Sequence, residues 1–241
     1  MVIENASNLI LSMNPLIFVS IMSLIVALLT TIVYKKFTNQ ILMKELKDEL
    51  KELQKTAKEL KEKPEEAMKA QKKMMEVNMK YMMHSMRATL VTFLPIILIF
   101  GWMNAHYSFI PLTPNTPFTI TIEGISSENI TMMQSTGIII EKTIKENGIT
   151  KIIAKLENYG NYYTTINTGG KTYPLTLTAS KKQESITPIT KPGDAVIKAI
   201  TVSYEKLIVL NAFGWKIGWL GTYIIESIIF SMLLRKWMNV Y

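Results

Sequence analysis

Three stretches of the chain are apolar for long enough to cross a bilayer. Pro15 to Tyr34 carries no charge over 20 residues. At 1.5 Å per residue this makes about 30 Å of helix, the thickness of a hydrocarbon core. The second stretch, Ala88 to about Tyr107, is also uncharged, with a kink expected at Pro95. The third, Phe213 to Leu234, is apolar apart from Lys216 near one end and Glu226 near the middle. Each run alone could be the core helix of a soluble protein; three in one chain predict membrane spans.

Between the first two runs the pattern changes. Met43, Leu46, Leu50, Leu53, Ala57 and Leu60 recur at intervals of 3 and 4, an a/d seam with charged positions around it. Lys44/Asp48, Lys55/Glu59 and Lys58/Glu62 are spaced to pair along its exposed faces. Lys63-Pro64-Glu65 ends this helix, and Pro64 is well placed to open a second one running to Arg87. The two arms are predicted to pack antiparallel as a coiled-coil hairpin. The second arm holds seven methionines between Met68 and Met86. Met75, Met79, Met82 and Met86 have heptad spacing, with Met74 and Met83 off that seam. They either fill the hairpin core and the membrane interface or, being unbranched and adaptable, present a surface for varied apolar partners, with Met79, Met82, Met83 and Met86 the candidates for capture.

Beyond Tyr107 the period becomes that of strands. Phe118 to Glu123 alternates, Asn147-Gly148 and Gly169-Gly170 mark hairpin turns, and 195–210 is rich in β-branched residues. A β-sandwich-like module of about 100 residues fits this spacing. Its 10 Lys/Arg, 8 Asp/Glu and lack of histidine suggest no catalytic or metal constellation; a docking or stabilising role is expected.

Charge sets the orientation. Lys35 and Lys36, Arg87, and Arg235 with Lys236 abut one end of each apolar run, and 35–87 holds 14 Lys/Arg against 9 Asp/Glu. The positive-inside rule puts these ends in the cytosol. The predicted organisation is an N-out tail and span at 1–34, a cytosolic hairpin at 35–87, a span at 88–107, an extracytosolic β-rich domain at 108–212, and a span with a cytosolic C-terminus at 213–241. The sequons at Asn5 and Asn129 fall on the outer side. The net charge of +8 points to anionic lipid or RNA rather than to DNA reading. Within the hairpin, Lys51, Lys55, Lys58 and Lys61 are candidates for ribosome or lipid contact.

Polar residues in the spans form stripes. Ser20, Ser23, Ala27, Thr30 and Thr31 lie within about 100° of arc on the first. Ser85, Thr89 and Thr92 lie on the second, and Thr222, Tyr223, Glu226, Ser227 and Ser231 on the third. Converged, Ser20, Ser23, Thr30, Thr89, Thr92, Thr222, Tyr223, Glu226, Ser227 and Ser231 would line a recess open to the cytosol, with Glu226 deepest and Ile224 and Ile228 pointing away. Small hydroxyl residues often only pack or bond their own backbone. A mid-membrane carboxylate instead needs water or a partner, and Arg87 and Lys216 are the nearest basic residues in sequence terms. His84 and His106 lie near opposite faces and cannot form one site. There is no Walker motif, no GxGxxG after a strand, no HExxH and no serine elbow. Without cysteine, thiolate sites are excluded. Neither an enzyme nor a cofactor is expected.

The order of spans and hairpin, with MMEVNMKYMMHSMRATLVTFLPIILIFGWMN at 74–104 and FGWKIGWLGTYIIESIIFSMLLRKW at 213–237, resembles the archaeal YidC-like insertases, relatives of YidC and of the third subunit of the ER membrane complex. The resemblance covers 10–107 and 213–237 and leaves out the β-rich 108–212. It implies an insertase that passes short hydrophobic segments of nascent membrane proteins from cytosol to bilayer through a groove, with the ribosome and the Sec translocon as possible partners. The arginine inside the groove of bacterial YidC has no mid-membrane counterpart here. An oligomeric channel or transporter using Glu226, and a structural tether, are the alternatives.

Overall fold

The computed structural model describes residues 10–60, 64–124, 130–133, 135–146, 148–193, 196–212 and 214–240. They fall into two compact units, Met1–Leu16 with Gly101–Trp219, and Ile17–Phe100 with Leu220–Tyr241. Asn5, Lys61 and Asn129 lie outside the described residues.

The second unit is helical. α1 (Pro15–Phe37) starts where the side chain of Asn14 accepts the Leu16 N–H at 2.9 Å, with proline in the first helical position. It ends on Lys35 and Lys36, cations suited to the negative end of the helix dipole. Asn39 then caps α2 (Gln40–Glu59), its side chain accepting from the N–H groups of Ile41 and Leu42. Met43 and Leu46 are buried and Leu50, Leu53 and Ala57 half-buried, so α2 uses the seam read from its spacing. α3 (Pro64–Tyr107) is one helix of 44 residues that continues through Pro95. Met43 shares an apolar cluster with Ala88 and Tyr81, and Lys73 pairs with Glu49 at 3.3 Å. Rising positions on α2 thus meet falling positions on α3, and the helices lie side by side in opposite directions.

The face α3 turns inward is not the methionine one. Ala67, Ala70, Met74, Val77, Tyr81, Ser85 and Ala88 are buried or half-buried at 3- and 4-residue intervals. Met79, Met82, Met83 and Met86 are 54%, 55%, 61% and 51% exposed. Of the two readings of the methionines, the one in which the heptad-spaced set fills the hairpin core does not fit these exposures. Several stripes on one helix satisfy the same period, and spacing alone does not choose among them.

α4 (Trp219–Trp237) begins later than the expected Phe213. The residues before it form a β-ribbon with Gly214 at φ +81°, a conformation that ends a helix. Lys216 thus sits on a strand. α4 runs in the same direction as α1, because Ser20 and Ser23 meet Glu226 while Lys35 reaches the Met238 carbonyl. α3 runs oppositely. Phe100 packs edge-on against Tyr223, ring centroids 4.8 Å apart, and Ala88 joins Tyr34 and Val240 at the other end. Among the described residues, two helices, Pro15–Phe37 and Glu65–Tyr107, are by themselves long and apolar enough to cross a membrane.

The first unit is mostly β: β1 (Phe118–Gly124), β2 (Thr131–Met132), β3 (Ile138–Glu146), β4 (Ile149–Leu156), β5 (Gly160–Thr168), β6 (Lys171–Ala179), β7 (Ile189–Thr190), β8 (Ile197–Val202), β9 (Leu210–Ala212) and β10 (Trp215–Ile217). One sheet has the order β3-β4-β1-β8-β7, a second β2-β5-β6, and β9 pairs with β10. Ile120, Ile122, Ile152 and Ala154 from the first sheet meet Ile166, Leu175 and Leu177 from the second in one core. Side chains alternate across a strand, so the period-2 pattern puts one face of each sheet inside. The β5–β6 turn rests on Gly169 and Gly170, at φ +56° and +74°, as a primed hairpin turn requires. Tyr204 packs against this core; burial pushes its phenol above the ordinary value, and its oxygen accepts the Thr178 N–H at 3.3 Å.

Candidate functional site

The polar groups of α1 and α4 meet in two places. The first is a clasp on Glu226. The Ser20 hydroxyl donates to its Oε1 at 2.6 Å and the Ser23 hydroxyl to its Oε2 at 2.8 Å. Ser20 and Ser23 are three residues apart, so both fall on the face of α1 turned to α4. Ser23 is fully buried, and its oxygen also lies 2.9 Å from the Val19 carbonyl and 3.0 Å from that of Ser20. Glu226 therefore competes with the backbone of α1 for one proton. Its partners are these serines, not the Arg87 or Lys216 suggested by the sequence.

The second place is a cavity of about 390 Å³ lined by Val26, Ala27, Thr30, Tyr223, Ser227, Ile228, Ser231, Met232 and Arg235. It runs from the level of Tyr223 toward the basic ends of both helices. The Thr30 hydroxyl bonds the Val26 carbonyl at 2.9 Å and that of Ser227 bonds the Ile224 carbonyl at 3.0 Å. Both oxygens keep capacity to accept from an incoming group. The Arg235 guanidinium lies 4.9 Å from the centre of the Tyr34 ring, a cation–π arrangement. The walls thus combine apolar surface, hydroxyl oxygens and one cation. That suits an apolar segment carrying a few polar or acidic groups.

Of the residues expected at the recess, the structure brings Thr30, Tyr223, Ser227 and Ser231 to the cavity. Ser20, Ser23 and Glu226 form the adjoining clasp instead of its floor. Thr92 is buried with its hydroxyl on the Ala88 and Thr89 carbonyls. Thr89 bonds the Ser85 carbonyl, and Thr222 is fully buried. None of these three lines the cavity. Ile228, expected to point away, does line it. Arg235 is the residue the sequence reading missed as a wall. Tyr223, Ser227, Ser231 and Arg235 are spaced by four, one turn apart, so extending the stripe by one turn would have found it.

Residues 1–158 match the family model described as integral membrane protein EMC3/TMCO1-like. The chain belongs to the EMC3/TMCO1-like family. No curated protein and no solved structure matched it. The EMC3/TMCO1-like family falls within the Oxa1/YidC/Alb3 insertase-related superfamily and is related to membrane-protein biogenesis. The match continues past Tyr107 through β4, a segment expected to stand outside the resemblance, and ends before α4, which was expected within it. In this EMC3/TMCO1-like chain α1 comes from the matched part and α4 from beyond it.

Proposed function

We propose that this protein is a membrane protein insertase of the archaeal YidC-like kind, passing hydrophobic segments of nascent proteins into the bilayer along the α1–α4 cavity. The observation that carries the reading is the cavity itself. Hydroxyls and an arginine line about 390 Å³ between helices whose other faces expose isoleucine and leucine. Moving a charged flank through hydrocarbon costs about 2.5–3.5 kcal/mol per residue on insertion scales. A polar indentation reaching partway in shortens that path, and burial of the apolar segment drives the step without an enzymatic reaction or a cofactor.

In this reading α1, α4 and the apolar half of α3 are three spans of the cell membrane, with the N-terminus outside and the C-terminus in the cytosol. The parallel course of α1 and α4 against α3 supports it, since an N-out first span and a third span that returns to the cytosol must run alike. The segment 35–87, which contains α2 and the first half of α3, makes a cytosolic coiled-coil hairpin of net charge +5, from 14 basic and 9 acidic residues. It meets ribosomal RNA or anionic lipid through Lys51, Lys55 and Lys58, and the Sec translocon is a second partner. The exposed Met79, Met82, Met83 and Met86 receive apolar segments before they enter the cavity. A channel using Glu226 finds less support, because both carboxyl oxygens are already held by serines.

The test is site-specific photocrosslinking during translation of a single-span client. Probes at Thr30, Ser227 and Ser231 are expected to give transient client adducts, with few from Ile224. Adducts of equal yield from Ile224, or none from the cavity positions, would overturn the reading.

A further inference from the structure

A short β-ribbon used by none of these roles joins the sandwich to α4. β9 and β10 pair with each other and with no other strand among the described residues. Trp215 stands opposite Ala212, Lys216 opposite Asn211, and Ile217 opposite Leu210. Opposed residues share a face, and successive residues alternate between faces. One face is therefore Leu210, Ala212, Trp215 and Ile217, and the other is Asn211 and Lys216. The ribbon is amphipathic with period 2. The sandwich does not cover its apolar face: Trp215 is 74% exposed and the other three are only half-buried. An isolated two-stranded ribbon is marginal in water, so its apolar face calls for a cover.

The roots of the ribbon say which cover. On the β9 side, Leu207 N–H donates to the Ser108 carbonyl at 3.0 Å, and Lys206 bridges Phe109. Ser108 directly follows Tyr107, the last residue of α3. On the β10 side, Ile217 is two residues from Trp219, the first residue of α4. The Trp219 Nε1–H donates to the Ser108 hydroxyl at 3.0 Å. Both roots are thus fastened where apolar helices end. The same helix end stacks Trp102 on His106, ring centroids 4.5 Å apart. Amphipathic aromatic rings gather at headgroup level, where one side is apolar and the other wet. Exposed Ile208 continues the apolar surface toward the ribbon.

We propose that the ribbon 210–217 lies in the membrane interface, with Leu210, Ala212, Trp215 and Ile217 in the acyl boundary and Asn211 and Lys216 among the headgroups. It is a lipid anchor for the β-rich unit. The lysine supports lipid over a protein partner, because its charge lies opposite the apolar face, where phosphates are. The inference rests on the reading of α3 and α4 as spans, and its test separates the two.

The chain has no cysteine, so single cysteines carrying a nitroxide can be placed at each position from 210 to 217 in the full-length protein in phosphatidylcholine nanodiscs. Collision rates with oxygen, which partitions into lipid, and with a water-soluble nickel chelate report depth. Oxygen should dominate at Leu210, Ala212, Trp215 and Ile217 and the chelate at Asn211 and Lys216. Chelate dominance at all positions, or spectra immobilised at the apolar positions with access to neither reagent, as under a protein cover, would overturn the proposal. A label at Ile229 in the middle of α4 tests the span. If oxygen dominates there while the ribbon shows no alternation, the anchor fails and the span stands; chelate dominance there removes the span reading itself. Photoactivatable phosphatidylcholine on the unaltered protein gives a second readout, with adducts expected in 208–217 and their absence counting against the anchor.

Discussion

The clasp on Glu226 makes a quantitative prediction. Changing Ser20 and Ser23 together to alanine removes both donors and leaves two carboxyl oxygens facing α1 without partners. An unsatisfied buried acceptor costs about 1–3 kcal/mol, so two cost up to about 6 kcal/mol. Glu226 is only half-buried, and hydrogen bonds measured inside membranes average near 0.6 kcal/mol, so about 2–3 kcal/mol is the better expectation. That is a 30- to 150-fold change in the folding equilibrium at about 1.4 kcal/mol per decade. Adding Glu226→Leu should restore most of the loss, because removing both sides of a polar contact is far less costly than removing one. The assay is reversible unfolding of the full chain in mixed micelles by rising detergent denaturant, read by helical circular dichroism. A double serine variant as stable as the parent, or a triple variant less stable than the double, would refute the reasoning and reduce the clasp to packing.

Changing Met79, Met82, Met83 and Met86 to serine should alter stability by less than about 0.5 kcal/mol per site, as expected for exposed positions, yet lower client crosslinking severalfold; a large loss of stability would return these methionines to the core. Cysteines at Lys55 and Lys182 should be labelled by membrane-impermeant reagents from opposite sides, cytosolic and outer, and the reverse pattern would invert the proposed groove. Cosedimentation with ribosomes should fall steeply with salt, as phosphate contacts do, and should be lost on deleting residues 44–63; binding unchanged by either would leave the hairpin a solvated charged surface. Ile152→Ala in the sandwich core should cost about 2–5 kcal/mol, seen as a lower midpoint in thermal unfolding followed by β-sheet circular dichroism.

Much of this architecture is written in local pattern. The lack of charge from Pro15 to Tyr34 and from Ala88 to Tyr107, over runs of about 20 residues, points to apolar helices whatever their neighbours, because a helix satisfies its backbone polar groups within one segment. The 3-4 spacing from Met43 marks the buried side of α2, and the glycines at 169 and 170 mark a turn, since each follows from the geometry of one element. The sequence also picked out α1 and α4 as carriers of polar stripes. It could not say which of several stripes on α3 would face α2, because a helical period defines angles about one axis and not the direction of the neighbour. Only packing chose the alanine side and turned the methionines outward. Nor could local pattern join Ser20 to Glu226, 206 residues apart; Arg235, by contrast, continues the four-residue spacing of the α4 stripe and was passed over because it already served as a topological flank. Trp215–Ile217, the second strand of the ribbon, was read as the start of the third helix because tryptophan, lysine and isoleucine at that spacing suit either state. Cross-strand pairing, a tertiary event, decided it.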